Sequence, residues 1–245
     1  MSWANYKDKL NKYFWFSKEE WKAFIITVLV GAIIYSWNGW GAARFDAAEG
    51  IKNLIVAIIL VAIVVFVHHA AQRIFAPTIG FRAEQKLWWY GLLIGLMLAI
   101  LSRGWLVYFF AASSTLIHLM PVHRLGSFRY GANMASISKV ALMGPFANAV
   151  LALLTKWLME WSIVSQEAGH RFFMLNAMFA LMNLLPIPPL DGSRIMYDSR
   201  AIYVLVLLTF AAFAAIGHFF HVYSATAAFV VGIGASLLIT KMKGS

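Results

Sequence analysis

The sequence predicts an all-α fold, a polytopic bundle of about six to eight transmembrane helices with lipid as its solvent. Three observations predict it. Charged residues make up 12% of the chain against 62% hydrophobic ones, with a mean hydropathy of +0.74, whereas a soluble domain carries about 25% charged residues. The apolar residues fall in long runs, close to the ~20 that carry a helix across a bilayer. Trp21, Trp37, Trp40, Trp88, Trp89 and Trp105 sit where such runs begin or end, as in the aromatic belt at a membrane surface. Too few polar residues remain to cover a water-soluble protein of 245 residues.

Taken in order, residues 1–20 mix Lys with Trp, Tyr and Phe and predict an amphipathic segment lying on the membrane surface. Residues 21–245 then form one transmembrane domain, without internal repeats or a low-complexity linker. Ser17 and Glu20 have the spacing of a capping box that starts the first span. The first apolar run follows a mixed-charge stretch and has the length of a span, so no cleavable leader is expected. Candidate spans are 21–40, 51–71, 87–102, 104–120, 138–158, 172–190, 201–220 and 224–240. Ser102-Arg103-Gly104 interrupts the pair 87–102 and 104–120, which reads either as two short spans or as a re-entrant hairpin.

The net charge of +10 comes from basic residues scattered singly between apolar runs. That argues against nucleic acid, which asks for a basic face. Topology accounts for the charge better. With the N-terminus inside and eight crossings, fifteen of the twenty Lys and Arg fall on the inside, the bias expected of a cell-membrane protein with both termini cytoplasmic. The bilayer is the first partner implied. Cysteine is absent, which excludes disulfides and thiolate metal sites.

Two polar segments carry the chemistry. His68-His69-Ala70-Ala71-Gln72 lies at the inner end of the second span, and Asn183 to Gly192, reading N-L-L-P-I-P-P-L-D-G, lies at the inner end of the sixth. The layout puts both on the same side of the membrane, where they can meet. Taken alone, Pro186 and Pro188 read as a turn leaving a span, with Asp191 capping the next helix. Gly144-Pro145-Phe146-Ala147-Asn148 marks the helix between them; Ala141, Gly144, Ala147 and Asn148 give it a face for close helix contact. Weaker leads are His118 and His123 around Pro121, and His218 and His221 near the end of the seventh span.

Asn183–Gly192 resembles the N-x-x-P-x-P-x-L-D-G motif of site-2 proteases, the intramembrane zinc metalloproteases, and Gly144–Asn148 is similar to their G-P-x-x-N. Phe81-Arg82-Ala83-Glu84, Trp88–Ser102 and Phe109-Phe110-Ala111-Ala112 look like the small archaeal members. The resemblance runs from about residue 17 to 195 and implies a site-2-protease-like core, with Asp191 at the position of a zinc ligand. The family's other motif, H-E-x-x-H, pairs two His ligands at i and i+4 with a Glu that activates the metal-bound water. Here only His68 survives. His69 occupies the general-base position, and Gln72 stands where the second ligand is expected.

A set of His68, Gln72 and Asp191 offers zinc one imidazole, one neutral amide and one carboxylate, short of its preferred ligands. The resulting expectation is a non-catalytic homologue with no cofactor. Asn148, Asn183, Pro186, Pro188, Asp191 and Gly192 then form a binding or structural framework that holds another transmembrane segment or subunit. His68, His69, Gln72 and Asp191 are expected to satisfy one another by hydrogen bonds between helices. The alternatives are a metalloprotease with an altered zinc site, including one built from His68, His69 and Asp191, and a transporter or channel built on polar groups within spans.

Overall fold

The computed structural model describes residues 3–41, 44–109, 113–119 and 133–244. Its elements run α1 (Trp3–Tyr13), α2 (Lys18–Tyr35), α3 (Ala47–Phe75), a 3-10 turn (Ala76–Ile79), β1 (Phe81–Leu87), α4 (Trp89–Leu101), β2 (Ser113–Leu119), α5 (Met134–Glu160), α6 (Gln166–Asn183), α7 (Asp191–Asp198), α8 (Arg200–Phe219) and α9 (Val222–Gly244). Short polar side chains start five of these helices. Ser17 and Glu20 form the reciprocal capping box of α2, Asp46 accepts from Ala48 and Glu49 at α3, and Asn133, Ser165 and Ser199 cap α5, α6 and α8. Each such cap is worth about 1 kcal/mol.

Three helices are long and apolar enough to cross a membrane: α3 with the turn that follows it (Ala47–Ile79), α5 and α8. Length and composition therefore give three spans among the described residues where six to eight were expected. Helix α2 carries Lys18, Glu19, Glu20 and Lys22 in its first turns, and Trp89–Leu101 and Val222–Ala235 are shorter apolar helices.

The fold is mostly helical, yet the all-α expectation needs correcting. The expected span 104–120 is not a helix, because Ser113–Leu119 pairs antiparallel with Phe81–Leu87, in register from Phe81 with Leu119 to Leu87 with Ser113. The reason is the period of two in Phe81-Arg82-Ala83-Glu84-Gln85-Lys86-Leu87. Phe81, Ala83 and Gln85 are buried while the residues between them are partly exposed, as in a half-buried strand. Between the strands, α4 is about 20 Å long at 1.5 Å per residue, too short for a ~30 Å hydrocarbon core. It runs beside α2 until Asn38 Nδ2 donates to Gly104 O at 2.9 Å. Gly104 turns the chain at φ 83, and Phe109 lies back against Gly95. Residues 88–109 thus leave the sheet and turn back along α4. Phe110-Ala111-Ala112, Pro121, His123, Arg124 and Arg129 lie outside the described residues.

Two apolar clusters flank the bundle's middle. Phe173, Phe210, Phe213 and Phe229 centre the one between α5, α6, α8 and α9, and Ile34, Val61, Val64, Val65, Leu175 and Phe179 centre the one around α2, α3 and α6. A third, of Ala76, Phe81, Ala83 and Val140, lies under the sheet.

One charged node ties the N-terminal segment to these layers. Arg73, 3% exposed, pairs with Glu20, donates to Phe14 O at 3.0 Å and Trp15 O at 2.9 Å, and sits 4.1 Å above the Phe16 ring. Glu20 in turn accepts from the Gln85 backbone at 2.9 Å and the Ser17 backbone at 2.8 Å. Removing one partner of such a pair strands a buried charge. Arg73→Ala is expected to destabilise the purified protein by about 3–5 kcal/mol. Arg82→Ala, which breaks the half-exposed Arg82–Glu84 pair, should cost at most about 1 kcal/mol. Denaturation in detergent compares them, and equal losses would remove Arg73 from its role as anchor.

Candidate polar centre within the bundle

Four elements bring polar side chains together inside the bundle: the last turns of α3, the middle of α5, the start of α7 and strand β2. His68, His69, Gln72, Asn148 and Asp191 are each no more than 5% exposed. In a low-dielectric interior each must therefore find partners inside the protein.

His68 and Asp191, 123 residues apart, meet with Nε2 2.9 Å from Oδ2. The other ring nitrogen, Nδ1, lies 2.8 Å from Asn148 Oδ1. Asn148 directs its amide nitrogen to two acceptors, Val64 O at 3.0 Å and Asn176 Oδ1 at 3.2 Å. Its oxygen therefore faces His68, so His68 Nδ1 is the donor. With Nδ1 protonated, the contact between Nε2 and the Asp191 carboxyl needs one shared proton, held by either partner. The second oxygen of Asp191 accepts from Arg194 at 3.2 Å.

Gln72 is the most fully committed member. Pro145 lies inside α5 and has no N–H, which leaves the carbonyl four residues earlier, Ala141 O, without its helical donor. Gln72 Nε2 supplies that donor at 3.2 Å and gives its other hydrogen to Asp191 Oδ2 at 2.9 Å. Gln72 Oε1 accepts from the Thr115 hydroxyl. The amide orientation follows from its neighbours, since the reverse would set an oxygen against a carbonyl and a carboxylate. His69 packs edge-on against His68 and has Thr115 Oγ1 3.3 Å from its Nδ1. Two glycines permit the approach. A Cβ on Gly144 would run into the His68 imidazole, and one on Gly192 into the Leu184 carbonyl.

The other residues singled out fall differently. Asn183 bonds Phe179 O of its own helix at 2.9 Å, and Pro186 and Pro188 lie in the irregular segment between α6 and α7. His218 and His221 do not share a helix face, because α8 ends at Phe219; the ring beside His218 is His170, 4.9 Å away between centroids. His118 sits exposed on β2, 4.0 Å from Glu84. Sequence reasoning missed Thr115, hidden in an expected span, and Asn176. The latter had a readable signal, since it lies seven residues before Asn183 and so on the same helix face.

Among the described residues no three His, Asp or Glu side chains converge to hold an ion. The groups of a kind zinc takes are His68, His69 and Asp191; of these, His68 and Asp191 meet, while His69 Nδ1 lies against Thr115.

With this geometry in place, comparison with known proteins gives a distant relative. The chain is 27% identical over 199 residues to a protein named "Putative zinc metalloprotease" in Methanocaldococcus jannaschii, covering 79% of this chain and 91% of that one. The likeness is distant, and it is to a protein whose name marks it as a zinc metalloprotease. No family model matches it, and no solved structure matches it either.

The proline and the glutamine are predicted to be energetically coupled. Gln72→Leu leaves Ala141 O, Thr115 and Asp191 short of partners and should cost about 1–3 kcal/mol per stranded group. Pro145→Ala returns a helical N–H to Ala141 O, so Gln72→Leu should cost about 1 kcal/mol less in that background. A double-mutant cycle in detergent measures the coupling, and strict additivity would remove Ala141 O from the account.

Proposed function

We propose that this chain is a site-2-protease-like protein of the cell membrane, polytopic and with cytoplasmic termini, that has given up proteolysis and acts as a binding or structural component of a larger membrane assembly. The observation that carries the reading is the orientation of Gln72. At the position where the family resemblance calls for a second zinc ligand, an amide turns its nitrogen inward and donates to Asp191. A donor aimed at the centre repels a cation, and Asp191 Oδ2 is already engaged by His68 and Gln72. The donor set does not fit zinc. His69, where a Glu would activate water, lies against His68 and Thr115 instead, so no group is poised over a polarised water.

Function then rests on shape. Close packing of α3, α5 and α7 around Asp191 builds a rigid polar core, and the helical faces left to lipid are available to another transmembrane segment. Large apolar side chains such as Ile55, Ile59 and Leu208 point outward from the helices with 54%, 55% and 60% exposure, as membrane solvation requires.

Metal analysis tests the reading. The native chain is expected to purify with substoichiometric zinc and to keep its thermal stability in the presence of a chelator. The double variant His69→Glu with Gln72→His restores the H-E-x-x-H pattern beside Asp191 and should take up stoichiometric zinc. Stoichiometric zinc in the native chain, with unfolding on chelation, would falsify the proposal in favour of an altered metallopeptidase.

A further inference from the structure

Helix α5 runs 27 residues, about 40 Å at 1.5 Å per residue, which matches a bilayer including its headgroup layers. Its last turn, Lys156 to Glu160, therefore reaches headgroup level, roughly 12–18 Å along the helix from Asn148. Trp157 and Tyr223 pack edge to face there at 5.3 Å, and Trp161 is 64% exposed beside them. This is the aromatic belt of a membrane surface. At this level the end of α5, the start of α6 and the connection from α8 to α9 line a half-open cavity of about 210 Å³. At ~30 Å³ per molecule it has room for about seven waters, the scale of a lipid headgroup and far below that of a helix.

The lining has an unusual charge pattern. Lys156 and Glu160 both face the cavity and lie one turn apart, yet among the described residues neither takes part in an ion pair. Their order, Lys before Glu, is the weaker one for an i, i+4 pair. The Lys156 ammonium instead reaches Phe220 O at a long 3.4 Å and sits 5.1 Å from the Phe173 ring, which holds it away from Glu160. Nearby, Glu167 and Arg171 neutralise each other, and the Gln166 amide donates to Met159 O at 3.2 Å. Lys156 and Glu160 thus line one cavity, each without an oppositely charged partner among the described residues. Beside them, Phe219 and Phe220, 76% and 60% exposed, offer ring faces of the kind that attract an ammonium.

We infer that this cavity binds a zwitterionic headgroup, a phosphate joined to an ammonium, with Lys156 holding the phosphate and Glu160 the ammonium. A phospholipid is the source the location favours, because the headgroup layer supplies the ligand at high local concentration and its acyl chains continue along the apolar spans. A purely anionic headgroup leaves Glu160 facing a phosphate and is disfavoured.

Native mass spectrometry of the full chain in detergent, titrated with phosphatidylethanolamine or phosphatidylglycerol, tests the assignment. Phosphatidylethanolamine is expected to bind about tenfold tighter, and Lys156→Gln and Glu160→Gln should each remove about tenfold, the worth of a ~1.4 kcal/mol contact. Both side chains reach solvent, so an unchanged melting temperature and recovery of binding in Lys156→Arg separate loss of contact from loss of fold. Equal affinity for the two lipids, or variants that bind like the native chain, would overturn the site. Soluble phosphoethanolamine competing as well as the lipid would overturn the lipid source and leave a site for a free zwitterion.

Discussion

A helix buried among other helices has no water to repair a broken hydrogen bond, and the middle of α5 contains such a break. Pro145 deprives Ala141 O of its donor. The amide that repairs it comes from α3, and one hydrogen of that amide is enough for the carbonyl. The other is left to find an acceptor, which Asp191 provides from the first turn of α7. One missing N–H thus fixes the relation of three helices. The arrangement also explains why α7 begins where it does. Asp191 has to lie within reach of α3, and Gly192 is the residue that lets the chain pass against the Leu184 carbonyl to get there.

Around that contact the remaining members follow by elimination of unsatisfied atoms. Asn148 spends its nitrogen on the Val64 carbonyl and on Asn176, so its oxygen is left for His68, and His68 must then offer its second nitrogen to Asp191. Thr115 closes the set from the sheet side by giving its hydroxyl hydrogen to Gln72. His68, Gln72, Asn148 and Asp191 each have two or more partners, which is what a buried polar cluster needs if it is to stabilise the packing around it.

Most of the helices were legible in the sequence because hydrophobic runs and caps are local signals. Ser17 with Glu20 announced α2, and the prolines announced a turn before Asp191, although α6 ends at Asn183 and not at the expected 190. The hairpin was not read, although the alternation in Phe81–Leu87 was present. Its partner strand, Ser113–Leu119, includes an apolar stretch that also suits a span, and pairing across 25 intervening residues leaves no local trace. Thr115 was lost with it. In the polar centre, residue types pointed to His68, Gln72, Asn148 and Asp191. The part that sequence could not supply was direction. Whether the Gln72 amide turns its oxygen or its nitrogen inward depends on the carbonyl that Pro145 strands, a relation between residues 69 positions apart.

That relation bears on why a polar cluster persists in a bundle that, on the proposed reading, performs no chemistry. Replacing the whole set with well-packed apolar side chains is energetically acceptable in principle. Single steps towards that state are not. Loss of Asp191 strands His68, Gln72 and Arg194; loss of Asn148 strands His68 and the Asn176 oxygen; loss of Gln72 strands Ala141 O. Each orphan costs about 1–3 kcal/mol against a total stability of about 5–15 kcal/mol. A network in which Asp191, Gln72, His68 and Asn148 each bond two or more others therefore resists piecemeal removal. Position 72 lies at its centre and position 69 beside it. Glutamine at 72 meets every hydrogen-bonding demand there, and the ring at 69 faces Thr115 and His68 rather than Asp191.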